Sequence, residues 1–355
     1  MKELNRILFV LSIIIFFSCS GLKQTNEKNT NIDYDVDHGD FRIMFYNCEN
    51  FFDVVDDSLT RDEEFTPQGV RYWTNKKYEE KRNKIYKVIT AVGGWEAPDI
   101  VGLCEIENHY VVEDLVKNTP LSKWDYRIVH KESPDRRGID VVLLYRKESF
   151  KVIENEFIRI KFPDSDRKTR DVIYVKGKTS FGDTLYVFVN HWPSRWSGQL
   201  ESEPARMFVA SVVKNKTDSI LRKNPNSKII LMGDFNDEPE NKSLSEVLQA
   251  NLSYDNIEKT KLYNLSYYLL KEKGLGTHKY QGTWGLLDQF IVSGSLLNNK
   301  GLHTDINHVH IFNKDFLLEK DETYVGYKPF RTFIGYKYNN GFSDHLPVYL
   351  DLLKK

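Results

Sequence analysis

The chain has 355 residues, 40% hydrophobic and 28% charged, with 21 Phe and 20 Tyr, which is ample material for a sizeable core and excludes a disordered chain. Lys plus Arg (50) nearly cancel Asp plus Glu (51), so the overall field neither attracts nor repels a polyanion. That balance excludes stoichiometric coating of nucleic acid but leaves room for an enzyme with a locally basic groove that must release its product.

Lys2 and Arg6, the apolar run Ile7 to Phe17 and then Ser18-Cys19 have the layout of a bacterial lipoprotein signal. The run is too short to span a membrane comfortably. The expectation is a signal over 1–19, a lipidated Cys19, a polar flexible tether over 20–39 and one folded domain over 40–355, exported and held on a bacterial membrane, outer membrane or cell surface, by the lipid alone. No internal repeat and no further Pro/Gly-rich linker divides that domain, and no protein partner is evident. Cys48 and Cys104 sit inside apolar strand patterns and read as buried free thiols.

Along the domain one grammar recurs. Phe41 to Tyr46 reads as a strand ending in Asn47-Cys48-Glu49-Asn50. A helix follows, with Thr74 as N-cap, Tyr78, Ile85, Val88, Ile89 and Val92 as its apolar face and Gly93-Gly94 as its stop. Ile100 to Cys104 is a buried strand that delivers Glu105, and Asp140 opens the strand Val141 to Tyr145. Thr184 to Val189 delivers Asn190-His191, and Ile229 to Met232 delivers Gly233-Asp234-Phe235-Asn236. Asp288 opens Gln289 to Val292, and Ser343-Asp344-His345 opens the last strand, Leu346 to Leu350. If strands that end in polar tips run opposite to strands that begin with them, all the tips meet at one rim. Apolar strands interspersed with helices predict covered sheets of mixed direction in a layered α/β architecture.

Asn47, Glu105, Asp234, Asn236, Asp288 and Asp344 are oxygen donors, the set that suits a hard cation such as Mg²⁺ or Mn²⁺. Such an ion polarises a phosphoryl oxygen and absorbs charge on the leaving oxygen. His191 and His345 are left for proton transfer, each needing an acidic partner. The pattern points to metal-assisted phosphoester cleavage. Arg195 and Arg206, near His191 in sequence, are candidates to meet phosphate oxygens.

Asn47-x-Glu49-Asn50, Leu103-Cys104-Glu105, Arg137-Gly138-Ile139-Asp140, Asn190-His191-Trp192, Gly233-Asp234-Phe235-Asn236, Leu287-Asp288 and Ser343-Asp344-His345-Leu346-Pro347-Val348 together resemble the endonuclease/exonuclease/phosphatase superfamily, in its order, across about residues 41–352. The resemblance implies a DNase I-like four-layer sandwich, two mixed β-sheets face to face with helices outside, and a Mg²⁺-type site at one rim. It makes Glu105 and Asn47 metal ligands with Asp344 as a further contact, His345 the general base and Asp288 the carboxylate that orients it. Asp234 and Asn236 position nucleophile and phosphate, and His191 serves the leaving side with Asp140 as its candidate acidic partner. Arg170 resembles a phosphate-contacting arginine. Many relatives carry Gln where this chain has Cys104.

Substrate is less legible, because catalytic residues in this superfamily are shared across substrates. The first expectation is an exported nuclease; the alternatives are a sphingomyelinase-like phospholipid phosphodiesterase, a sugar-phosphate phosphatase, or a catalytically inactive surface binding protein. Tyr324 to Tyr338 alternates aromatic and basic residues, which reads either as a stacking platform for nucleic-acid bases or as a twisted hairpin packed on the domain. Trp192 and Trp196 allow the same two readings.

Overall fold

The computed structural model describes residues 39–163, 165–195 and 198–355, all within the compact unit Tyr34–Lys355. The signal, Cys19, nearly all of the tether and Trp196 lie outside the described residues. Among the described residues no helix is long and apolar enough to cross a membrane.

Apolar runs bounded by polar tips fold into two large sheets. In the first, β1 (Phe41–Phe51) lies parallel to β2 (Ile100–Ile106) and antiparallel to β20 (Val348–Lys354). The sheet continues from β2 to β4 (Asp140–Arg146) and β3 (Tyr126–His130), and β14 (Leu302–His303) and β15 (Val309–Ile311) pair with β20 at the other edge. The second sheet runs β5 (Phe150–Ile158), β6 (Val172–Thr179), β7 (Thr184–His191), β8 (Lys228–Asp234), β13 (Asp288–Ser293), β10 (Leu262–Asn264) and β9 (Ala250–Asn251). Parallel β7–β8 and antiparallel β8–β13 make it mixed as well.

The sheets pack face to face through Phe45, Val187, Met232 and Phe290, all fully buried. A side chain at Gly102 would put a Cβ 2.7 Å from Met232 Cε, so glycine is what lets β2 approach the opposing sheet. Helix α1 (Asn75–Gly93) covers the first sheet with Ile85, Val88, Ile89 and Val92, and Gly94 ends it at a φ of 71°. Thr74 precedes it as expected, although its hydroxyl makes no capping bond. Helix α2 (His109–Lys117) lies beside it, capped by Asn108. On the far face α3 (Gln199–Lys223) buries Val209, Ala210, Val213 and Ile220 against Phe188, Ile229 and Leu231. Four layers result, as the family resemblance implied, and the mixed strand directions are those the patterning predicted. Cys48 and Cys104 are buried free thiols.

Candidate active site

Strand direction brings the tips together. In the first sheet Asn47 pairs with Cys104 and Asp140 with Ile106, and in the second His191 pairs with Asp234, which pairs with Asp288. Both rows open on the same rim, and two side-chain bonds cross between the sheets. Asn47 Nδ2 donates to Asp234 Oδ2 at 3.1 Å, and His345 Nδ1 lies 2.7 Å from Asp288 Oδ2.

The rim is built from irregular backbone. The β1 register slips between Asn47 and Phe51, and β2 slips between Cys104 and Ile106. Glu49, Asn50, Glu105 and Asn236 adopt left-handed φ values of 49°, 57°, 58° and 51°. Each such residue costs on the order of 1 kcal/mol, and bulges of this kind re-aim side chains. Local bonds hold the distortion: Glu105 Oε2 accepts Asn50 N–H at 3.0 Å, Asn47 Oδ1 accepts Glu49 N–H at 2.9 Å, and Asp234 Oδ1 accepts Asn236 N–H at 2.9 Å.

Asp234 Oδ2 is the hub, 3.7 Å from His191 Nε2 and 3.9 Å from His345 Nε2, while Glu105 Oε1 lies 3.9 Å from His191 Nε2. The histidines face opposite fields. Burial and then the positive charges of Arg170 and Arg137 push His191 well below the usual imidazole range, so it is neutral. Burial also disfavours charge on His345, but Asp288, Asp234 and Asp344 outweigh it and raise its pKa well above that range. Burial, offset in part by His345, raises Asp234 to about 7.

Glu49, Glu105 and Asp344 gather on the β1 side. Arg331 bridges two of them, 3.0 Å from Glu49 Oε1 and from Asp344 Oδ2, and the buried Lys81 ammonium donates to Thr332 Oγ1 and to the Phe342 carbonyl. Burial, and then the nearby Asp344 charge, raise Glu49 above the ordinary carboxylate range, against the opposing charges of Lys81 and Arg331. Oxygen donors suit a hard divalent cation, and Glu105, Asp344 and the Asn47 amide are the candidate donors on this side of the rim.

Several expectations are corrected. Asp140 does not partner His191: one oxygen is 3.1 Å from His130 Nε2 and the other accepts Ser133 N–H, because β3 places His130 beside it. The carboxylates nearest His191 are Asp234 and Glu105. Arg170 is a buried strut, bonded to Asp135 at 2.9 Å and to the Trp192 carbonyl at 2.5 Å. Arg195 braces the loop after β8, donating to Asn236 O at 2.6 Å and Asn241 Oδ1 at 2.9 Å. Arg206 is fully buried on Asp237 at 2.7 Å. Trp192 is buried and bonds Asn190, so it stacks on no substrate. The 324–338 stretch divides: Phe333 packs on Trp73 and Tyr338, while Tyr324, Tyr327 and Tyr336 are exposed.

His278 is a site residue that the sequence reading missed. It lies on β11 (His278–Tyr280), which forms a hairpin with β12 (Thr283–Gly285) and makes a bridge to His345. Its only sequence signal is that hairpin, directly upstream of Asp288.

The profile of the Endonuclease/Exonuclease/phosphatase family matches residues 42–354. The chain belongs to that family. Its members are phosphoester hydrolases, and this family member carries their fold. The comparison with curated proteins gives no match. Among solved structures, D. rerio TDP2 complexed with single strand DNA product is 17% identical with a TM-score of 0.54, over 88% of this chain and 98% of that one. A mannosyl-6-phosphatase of Bacteroides thetaiotaomicron is 18% identical with a TM-score of 0.53, over 88% and 99%. The human Nocturnin catalytic domain with bound sulfate is 18% identical with a TM-score of 0.52, over 89% and 94%. These likenesses are of fold.

Proposed function

We propose that the protein is a divalent-metal-dependent phosphoester hydrolase, Mg²⁺ being the natural ion and Mn²⁺ a substitute, that acts on a compact or terminal phosphate. The observation that carries this is the His345–Asp288 pair, 2.7 Å long, facing Asp234, with the neutral His191 on the other side of Asp234, the Glu105 carboxylate beside His191 and the Asp344 carboxylate beside His345. When bound, the cation polarises the phosphoryl group and offsets charge on the leaving oxygen. In its neutral form His345 would accept a proton from water at Nε2, with Nδ1 held by Asp288. Asp288 fixes the tautomer by accepting from Nδ1. The water oxygen bonds to phosphorus, the ester P–O bond breaks, and the neutral His191 donates a hydrogen bond toward the developing negative charge.

A compact substrate is favoured because Arg170, Arg195 and Arg206, the cations that would follow a polynucleotide backbone, are engaged inside the protein. A nuclease acting on a single-stranded end is the second reading, supported by the exposed Tyr280, Tyr324 and Tyr327 on hairpins attached to β11. Phospholipid headgroups are the third. Export and tethering through a lipidated Cys19 complete the proposal. Loss of fatty-acid labelling in Cys19→Ala tests that part.

The deciding experiment measures Mg²⁺- and Mn²⁺-dependent hydrolysis of sugar phosphates, single-stranded oligonucleotides, plasmid DNA, RNA and sphingomyelin. Phosphate release from sugar phosphates that disappears with chelator and in His345→Ala is the expected result. Oligonucleotide or RNA cleavage with the same controls replaces it by the second reading, and sphingomyelin cleavage by the third. Activity on none of them, or activity retained in His345→Ala, overturns the assignment.

A further inference from the structure

We propose that His278, Asp344 and His345 form a second cation site, selective for a borderline transition ion of the Zn²⁺ or Co²⁺ class, whose occupancy holds the hydrolase off. The proposal rests on the reading of His345 as the base. One ligand atom from each residue lies within 4.8 Å of the other two, close enough to close on one ion with small side-chain rotations. The strand bridge fixes His278 against His345, with ring centroids 4.8 Å apart and planes tilted by 38°.

Neither ring nitrogen of His278 has a hydrogen-bond partner among the described residues, and the residue is half-buried, so an ion can reach it. His345 commits Nδ1 to Asp288, the outer-shell arrangement that orients metal-binding histidines, and turns Nε2 to the rim. Asp344 pairs with Arg331 through one oxygen. A second triad, Asp234, Asp288 and His345, is wholly buried and already joined by the His345–Asp288 bond, so it carries no separate site.

Two imidazoles and one carboxylate set the selectivity. Imidazole nitrogen suits zinc, copper, nickel and iron, whereas magnesium takes oxygen donors, as offered around Glu105. The consequence for turnover is direct, because the Nε2 lone pair that would bind the ion is the one that must accept the proton from water. Inhibition therefore comes from occupation of the base.

The test titrates the purified full chain with Co²⁺ in excess Mg²⁺ and follows the visible absorption of nitrogen-ligated Co²⁺. The expected result is a saturable band displaced by Zn²⁺, absent in His278→Gln and retained with a shifted maximum in His278→Asp, with thermal unfolding of the metal-free proteins showing that each is folded. Loss of one ligand lowers affinity by at least about ten-fold, so any hydrolysis measured in Mg²⁺ needs correspondingly more Zn²⁺ for inhibition in His278→Gln. No band in the folded wild type, or the same band in His278→Gln, overturns the proposal. The spectrum reads binding without turnover, so failure of the hydrolase reading and failure of this site are separable.

Discussion

Asp288 and His345, 57 residues apart in sequence, meet at 2.7 Å from different sheets: Asp288 opens β13 of the second, and His345 lies just ahead of β20 of the first. The bond therefore depends on how the two sheets pack. A shift of one sheet against the other would separate base from orienting acid before it exposed the core.

Asp288→Asn keeps the shape of that contact but removes the charge and favours the wrong tautomer. Turnover is expected to fall by about a thousand-fold with KM nearly unchanged. Steady-state kinetics on whichever phosphoester proves active checks this, and a loss under about ten-fold would remove Asp288 from the orienting role.

Asp140 gives the opposite expectation. It is buried on His130 and Ser133, away from His191, so Asp140→Asn should cost about 1–3 kcal/mol of stability while kcat stays within about three-fold. Urea unfolding alongside kinetics distinguishes this from a catalytic role. A collapse of kcat in a fully stable variant would return Asp140 to the chemistry.

Asp135 predicts an acid limb in stability. Burial alone would raise its pKa, but the Arg170 and Arg137 charges, with the Arg137 N–H, bring it below the ordinary carboxylate value. A group depressed on folding stabilises the protein fully above its unfolded pKa of about 3.9, and that contribution is lost as pH falls through the folded value. Asp135→Asn, which leaves Arg170 buried without its anion, should cost about 3 kcal/mol at pH 7, and the difference should shrink toward zero as pH falls below the depressed folded value. A constant difference across that range would refute the assignment.

The rim was legible in the sequence because its residues stand at strand ends, where an apolar run stops and an Asn, Asp, Glu or His begins. Asn47, Glu105, His191, Asp234, Asp288 and His345 were all found that way. What pairs with what was not legible. Asp140 finds His130 only because β3 lies at the edge of the sheet beside β4, a register no local pattern encodes. Arg170, Arg195 and Arg206 look free in sequence, yet each closes on a carboxylate or carbonyl of a distant segment. His278 escaped notice because its strand spans three residues and has no apolar periodicity.

Glu105 offers the most direct test of the metal. Its carboxylate stands on a left-handed residue at a bulge, a strained placement that ligand binding would justify. A cation that binds only the folded state at about 100 times its Kd stabilises it by about 2.7 kcal/mol. Mg²⁺ added to the chelator-treated protein should therefore raise the thermal midpoint by a few degrees and restore hydrolysis. In Glu105→Gln both responses should shrink together, because the amide keeps the shape but loses the anion. A midpoint that rises equally in the variant would place the ion elsewhere, with Asp344 and Glu49 as the next carboxylates to replace.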